Sequence, residues 1–215
     1  MKNILSLRKL HNIYINFFDS IQKNKGIISV NFDDIHLIDT KVLKDRETLL
    51  ENLPKGGIVC ELGVNKGDFS EKILKINKPS KLHLVDIWKS ARYNNKIKKI
   101  VEEKFKNEIN DKVIELNNGY STEVLKTFKD NYFDWVYIDT SHNYEDTIKE
   151  LNLSKNKVKR NGIITGHDYI TRSSSLGIKY GVVEAVNEFC VKDNWKLIFL
   201  TLECNGHSSF ALKKI

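Results

Sequence analysis

The sequence predicts an α/β fold in which a mostly parallel sheet is covered by helices on both faces. Three observations predict it. From Gly57 onward, short apolar runs alternate with amphipathic segments of helical period, the pattern of repeated strand-helix units. The first of these runs ends in an acid and a glycine turn, "ELGVNKG" from Glu61 to Gly67, where such sheets hold ligands. The tail carries two strand-like runs, "WKLIFLTL" and "SSFALKKI", whose "ECNGH" connection is too short for a parallel crossover, so they must pair antiparallel.

Taken in order, Leu10, Ile13, Phe17 and Ile21 recur at helical spacing, and Leu43, Leu49, Leu50 and Leu53 do so less strictly. Two helices are therefore expected before the first strong strand, with "GIISVNFDDIHLIDT" between them as a loop or short strand. "GIVCELG" then reads as strand, "DFSEKILKI" as helix and "KLHLVDIW" as strand. "NNKIKKIVEEKFKNEI" reads as one helix with Ile97, Ile100, Val101, Phe105 and Ile109 on one face. "KVIELNN", "FDWVYID" and "GIITGHDY" continue as strands, separated by the helices "STEVLKTF" and "YEDTIKELNLSKNKV", and "GVVEAVNEF" is the helix before the tail.

A chain of 215 residues fits one domain with a core that needs no disulfides. Cys60, Cys190 and Cys204 are odd in number, lack C-x-x-C spacing and sit in or beside apolar runs. They read as reduced, buried thiols, which points to the cytoplasm. The N-terminus places Arg8 and Lys9 inside its apolar pattern and offers no small-residue cleavage site, and no run of about 18 apolar residues suggests a membrane span. The net charge of +7 is spread along the chain instead of concentrated in a block, which weighs against nucleic acid as partner.

The glycine turn is more informative. Gly63 and Gly67 allow backbone angles and close approach that a Cβ would block, but G-x-x-x-G is not the dinucleotide fingerprint G-x-G-x-x-G, and Glu61 would repel a pyrophosphate. An amine-bearing ligand without phosphates fits better. The second strand ends in Asp86, 23 residues after Gly63 (86 − 63), where a carboxylate can accept from ribose hydroxyls.

"ELGVNKGDFS", Asp86, "NNGYSTEVL", "FDWVYIDTSHNYED" and "RNGIITGHDY" with "GVVEAVNEF" resemble the small class I S-adenosylmethionine-dependent methyltransferases, particularly the macrocin-type sugar O-methyltransferases. The resemblance implies a Rossmann-like sheet of seven strands, the last antiparallel. It implies that Glu61, Gly63 and Gly67 surround the methionine moiety of S-adenosylmethionine, that Asp86 holds the ribose, that Gly119, Tyr120 or Ser121 lies near adenine, and that Asp139 borders the cofactor. It divides the chain into a cofactor domain over 53–215 and an N-terminal helical segment over 1–52, where the resemblance fades, expected to pack on the core as a lid over the acceptor.

Asp139 and His142 at one strand end, with His167 and Asp168 at the next, should converge on the cofactor rim. Two carboxylates with room for water suit a divalent cation, magnesium or manganese, able to orient a substrate hydroxyl and lower its pKa. By position in the family, the ligands would be Asp139, His167 and Asp168. This chain has Ser141 where related enzymes often carry an Asp thought to act as base, which leaves His142 as the expected general base and His167 as its substitute in a metal-free enzyme. His207, a lone histidine in a turn, is expected to be solvated or bonded to backbone more than to touch substrate; Trp135 and Trp195 are expected in the core, while Trp88 and Tyr93 either pack or flank the ligand. The expected activity is O-methylation of a small hydroxyl-bearing acceptor, a sugar or glycoside. Rival readings are an RNA or protein methyltransferase and a cofactor-binding regulatory module; a homodimer stays open.

Overall fold

The computed structural model describes residue 13 and residues 30–90, 93–172, 178–204 and 206–215. The helix expected over residues 10–21 lies outside the described residues, save Ile13. After a single 3-10 turn at Asp34–His36 come β1 (Lys41–Leu43), α1 (Arg46–Asn52), β2 (Ile58–Leu62), α2 (Asp68–Asn77) and β3 (Lys81–Asp86). These are followed by α3 (Asn95–Lys104), α4 (Lys106–Asn110), β4 (Ile114–Asn118), α5 (Ser121–Thr127) and β5 (Phe133–Ile138). The chain closes with α6 (Tyr144–Lys157), β6 (Val158–Gly166), α7 (Val182–Asp193), β7 (Trp195–Thr201) and β8 (Phe210–Lys214).

Among the described residues these strands form one eight-stranded sheet in the order β1-β7-β8-β6-β5-β2-β3-β4. Only β8 runs against its neighbours, β6 and β7, as the short tail connection requires. The expected count of seven is corrected to eight by β1, which pairs parallel to β7 through Lys41↔Phe199 and Leu43↔Thr201. Its three residues are too few to show a period of two, and Leu43 fell within a helical spacing instead.

Alternation along the strands sends side chains to two apolar clusters. Cys60, Leu62, Val136 and Ile138 face α5, α6 and α7, where Leu125, Leu151 and Phe189 meet them. Val59, Leu84, Trp135 and Tyr137 face α1, α2 and α3, where Leu50, Ile73 and Val101 pack. Trp135, Trp195 and Trp88 are all buried. The long helix expected after β3 breaks at Phe105 (φ −111, ψ 25), and Ile100, 47% exposed, falls off the buried face. Cys60 and Cys190 are buried, but Cys204 is exposed, because it sits in the turn-rich connection beyond β7. No helix among the described residues is long and apolar enough to cross a membrane.

The carboxyl ends of β2, β3, β4, β5 and β6 open on one rim. Chain order reverses between β2 and β5, which places the ligand crevice of such a sheet at the glycine turn after β2.

Candidate active site

The last turn of β2 explains its own sequence. Gly63 has φ +88, and a Cβ there would lie 1.8 Å from the Asp139 carbonyl oxygen, so the turn can lie against the end of β5 only without a side chain. Gly67, with φ +76, starts α2, and a Cβ there would meet the Phe105 ring at 2.6 Å. Asp86 organises the same turn: Oδ2 accepts from the Val64 and Asn65 N–H groups at 2.9 and 3.0 Å, and Oδ1 from Trp88 N–H at 3.0 Å. Of about four acceptor positions on a carboxylate, one remains for a ligand.

These elements enclose a cavity of about 500 Å³. Arg46, Glu61 and Phe69 line its α1/α2 side, Gly63, Asp86 and Asp139 its floor, and Gly119, Tyr120, Ser121 and Glu150 its α5/α6 side. Every residue expected at the cofactor lines this cavity except Gly67, whose requirement for glycine comes from Phe105 and from the helix start. Tyr93 also lines it, whereas Trp88 is packed beneath the turn.

Glu61 faces the α2 side of the sheet, 1% exposed, and accepts from Ser70 Oγ at 2.5 Å. Burial pushes its carboxyl up to about 8; the Ser70 bond opposes this, and the Asp139 and Asp86 charges add to it. Arg46, the first residue of α1, lays its guanidinium 4.6 Å from the centre of the Phe69 ring and 3.8 Å from Asp139 Oδ2. A buried acid and a cation thus flank one end of the cavity.

The second polar cluster does converge. His142 Nε2 lies 3.1 Å from Asp139 Oδ1 and 3.0 Å from Asp168 Oδ2. His167 Nδ1 lies 3.8 Å from Asp139 Oδ2 and 3.4 Å from Asp168 Oδ1. His207, expected to be solvated or bonded to backbone, instead bonds the Asp168 carboxylate through Nδ1, because the β7–β8 connection folds back over the rim. Burial works against charge on His142, but its bond to Asp139 and the Asp168 and Asp139 charges raise its pKa overall. Burial would raise Asp168, yet its bonds to His167 and His207 and the charges of His167 and His142 hold it down at about 2. Both His142 and Asp168 take left-handed backbone angles, φ 59 each, a conformation uncommon for residues other than glycine.

Asp139 and His142 line the cavity, while His167 and Asp168 stand behind them. Among the described residues, Asp139, His142 and Asp168 form a trio whose ligand atoms lie within 4.8 Å of one another, whereas the set expected from the sequence had His167 in place of His142. Asn143 caps α6 by accepting from Asp146 N–H at 2.8 Å, so the helix start needs neither Asp139 nor Ser141 as its cap.

The sequence profile of a methyltransferase domain matches residues 60–169, a little over half of the chain. The chain belongs to the methyltransferase-domain family. With its Rossmann-like sheet it is an S-adenosylmethionine-dependent methyltransferase. Solved methyltransferases share the fold at low identity. A SAM-dependent methyltransferase from Aquifex aeolicus is 15% identical over 80% of this chain and 91% of that one, with a TM-score of 0.58. A tRNA methyltransferase from B. subtilis is 14% identical over 80% and 67%, with a TM-score of 0.58. The pyocyanin biosynthetic protein PhzM is 10% identical, with a TM-score of 0.56, and 75% of this chain spans only 51% of that longer one. No curated protein sequence matches the chain.

Arg46 and Glu150 are among the cavity residues of this methyltransferase that were not singled out from the sequence. Arg46 belongs to no motif. Glu150 did leave a signal, as the acid in the stripe Thr147, Glu150, Leu151 and Ser154, which α6 buries.

Proposed function

We propose that this methyltransferase moves the methyl group of S-adenosylmethionine to a hydroxyl of a small molecule, a sugar or glycoside. The observation that carries the reading is the Asp139–His142–Asp168 cluster, an acid-base group whose Asp139 and His142 line the same cavity that suits the cofactor. Glu61 and Arg46 complement the ammonium and carboxylate of a methionine moiety, the remaining Asp86 acceptor position suits a ribose hydroxyl, and Gly119 to Ser121 border the base. Asp139 borders both cofactor and acceptor.

The acceptor oxygen attacks the methyl carbon as the carbon-sulfur bond breaks, the sulfonium becomes a thioether, and the hydroxyl proton passes to a base. Holding oxygen, carbon and sulfur in line supplies much of the acceleration. Where no cation is bound, His142 is the base, with His167 behind it holding Asp168 in place. A base so placed contributes on the order of a hundred- to ten-thousand-fold.

The donor set also fits a divalent cation. Asp139, His142 and Asp168 would hold it, and two carboxylates with an imidazole suit manganese at least as well as magnesium. Such an ion would lower the pKa of the acceptor hydroxyl. A metal-free enzyme is the second reading, favoured by the close approach of His142 Nε2 to both carboxylates.

The test is a calorimetric titration of manganese or magnesium into protein loaded with S-adenosylhomocysteine, for wild type, Asp139→Ala and Asp168→Ala, followed by assays on glycosides, other diols and RNA. Saturable binding lost in both variants supports the metal; tight S-adenosylhomocysteine binding without metal binding leaves His142 as base. Methylation of RNA, with none of the hydroxyl compounds modified, would overturn the acceptor class.

A further inference from the structure

Glu150 has no part in the chemistry above, yet it sits 0% exposed at the α5/α6 side of the cavity. Two hydroxyls converge on it. Ser121 Oγ, at the start of α5, donates to Oε1, and Thr140 Oγ1, just beyond β5, donates to Oε2 at 2.8 Å. Ser121 and Thr140 both line the cavity as well.

A hydroxyl has one proton and two lone pairs. With both protons committed to Glu150, Ser121 and Thr140 turn only acceptors toward the cavity. A ligand donor satisfies them, whereas a carbonyl in the same place sets lone pair against lone pair and leaves buried polar atoms unpaired. On the cofactor reading above, on which this inference rests, this end takes the purine, since Glu61 and Arg46 hold the opposite side.

We propose that Glu150 is a positioning residue that makes Ser121 and Thr140 obligate acceptors and so selects a 6-amino purine over a 6-oxo purine in the cofactor. Glutamine at this position tests it. Its amide accepts from one hydroxyl but donates to the other, whose own proton must then turn into the cavity.

The experiment is calorimetry of S-adenosylhomocysteine and S-inosylhomocysteine binding to wild type, Glu150→Gln and the near-isosteric Thr140→Val. It is run at pH 8, because burial pushes the Glu150 carboxyl up to about 7. Wild type should prefer the adenosyl compound by on the order of a hundredfold, since sites built for a hydrogen-bonding group reject its mismatch strongly. Glu150→Gln should lower that ratio at least about tenfold, chiefly through weaker adenosyl binding, and Thr140→Val should lower it in the same direction. Equal weakening of both compounds, with the ratio unchanged in both variants, would mean that Glu150 only supports packing and would overturn the inference while leaving the cofactor reading intact. Failure of wild type to bind either compound would overturn both.

Discussion

At the scale of single residues, the site depends on two positions whose alternatives fail for different reasons. Gly63→Ala would force φ +88 on alanine and drive its Cβ to 1.8 Å from the Asp139 carbonyl oxygen. The expected cost is roughly 3 kcal/mol or more, with loss of cofactor binding, measured by urea denaturation and calorimetry. Glu61 makes a pH-dependent prediction. Its folded pKa of about 8 lies above the ordinary 4.5, so between these values the folded state binds more protons than the unfolded chain. Stability of the ligand-free protein should therefore fall as pH rises from about 4.5 to 8, by on the order of a few kcal/mol. In Glu61→Gln that slope should flatten. An ammonium beside Glu61 favours the carboxylate, so cofactor binding at pH 7 should release a proton; buffers of differing ionisation enthalpy report it, and proton uptake would contradict the assignment.

At the scale of elements, the segment ahead of the glycine turn does two jobs. β1 extends the sheet and α1 buries Leu49 and Leu50, so Leu49→Ala should cost about 2 to 5 kcal/mol. Asp45 caps α1 by accepting from Thr48 N–H at 2.8 Å, which fixes the helix start and carries Arg46 over Phe69 to the cavity. Arg46→Ala should weaken S-adenosylhomocysteine at least tenfold with little change in stability, because its side chain is 31% exposed and its packing partner Phe69 stays in place. An unchanged Kd would remove it from the site. The strands from β2 onward were legible because each couples an apolar run to a turn signal. β1 was not, since three residues make a strand only where β7 offers an edge. Asp139, His142, His167 and Asp168 were legible as strand-end polar clusters, whereas Arg46 reaches the cavity only through a packing arrangement that no local pattern announces.

At the scale of the whole molecule, the cavity is assembled from α1, α2, four parallel strand ends, α5 and α6, with the β7–β8 connection bracing Asp168 through His207. Its parts are distant in sequence, so a ligand that bridges them stabilises the fold and not one loop. S-adenosylhomocysteine at a hundred times its Kd should add about 2.7 kcal/mol. For a chain of 215 residues this corresponds to a rise in Tm of roughly 5 to 10 °C. Asp86→Ala should lose most of the rise, because the mutation removes both the ribose acceptor and the anchor of the Val64 and Asn65 amides. NAD should give little or none, since its pyrophosphate would face Glu61. Calorimetric scans with the two compounds decide the matter at this scale: a larger rise with NAD would mean that the glycine turn holds a dinucleotide after all, and that Glu61 is kept neutral to admit it.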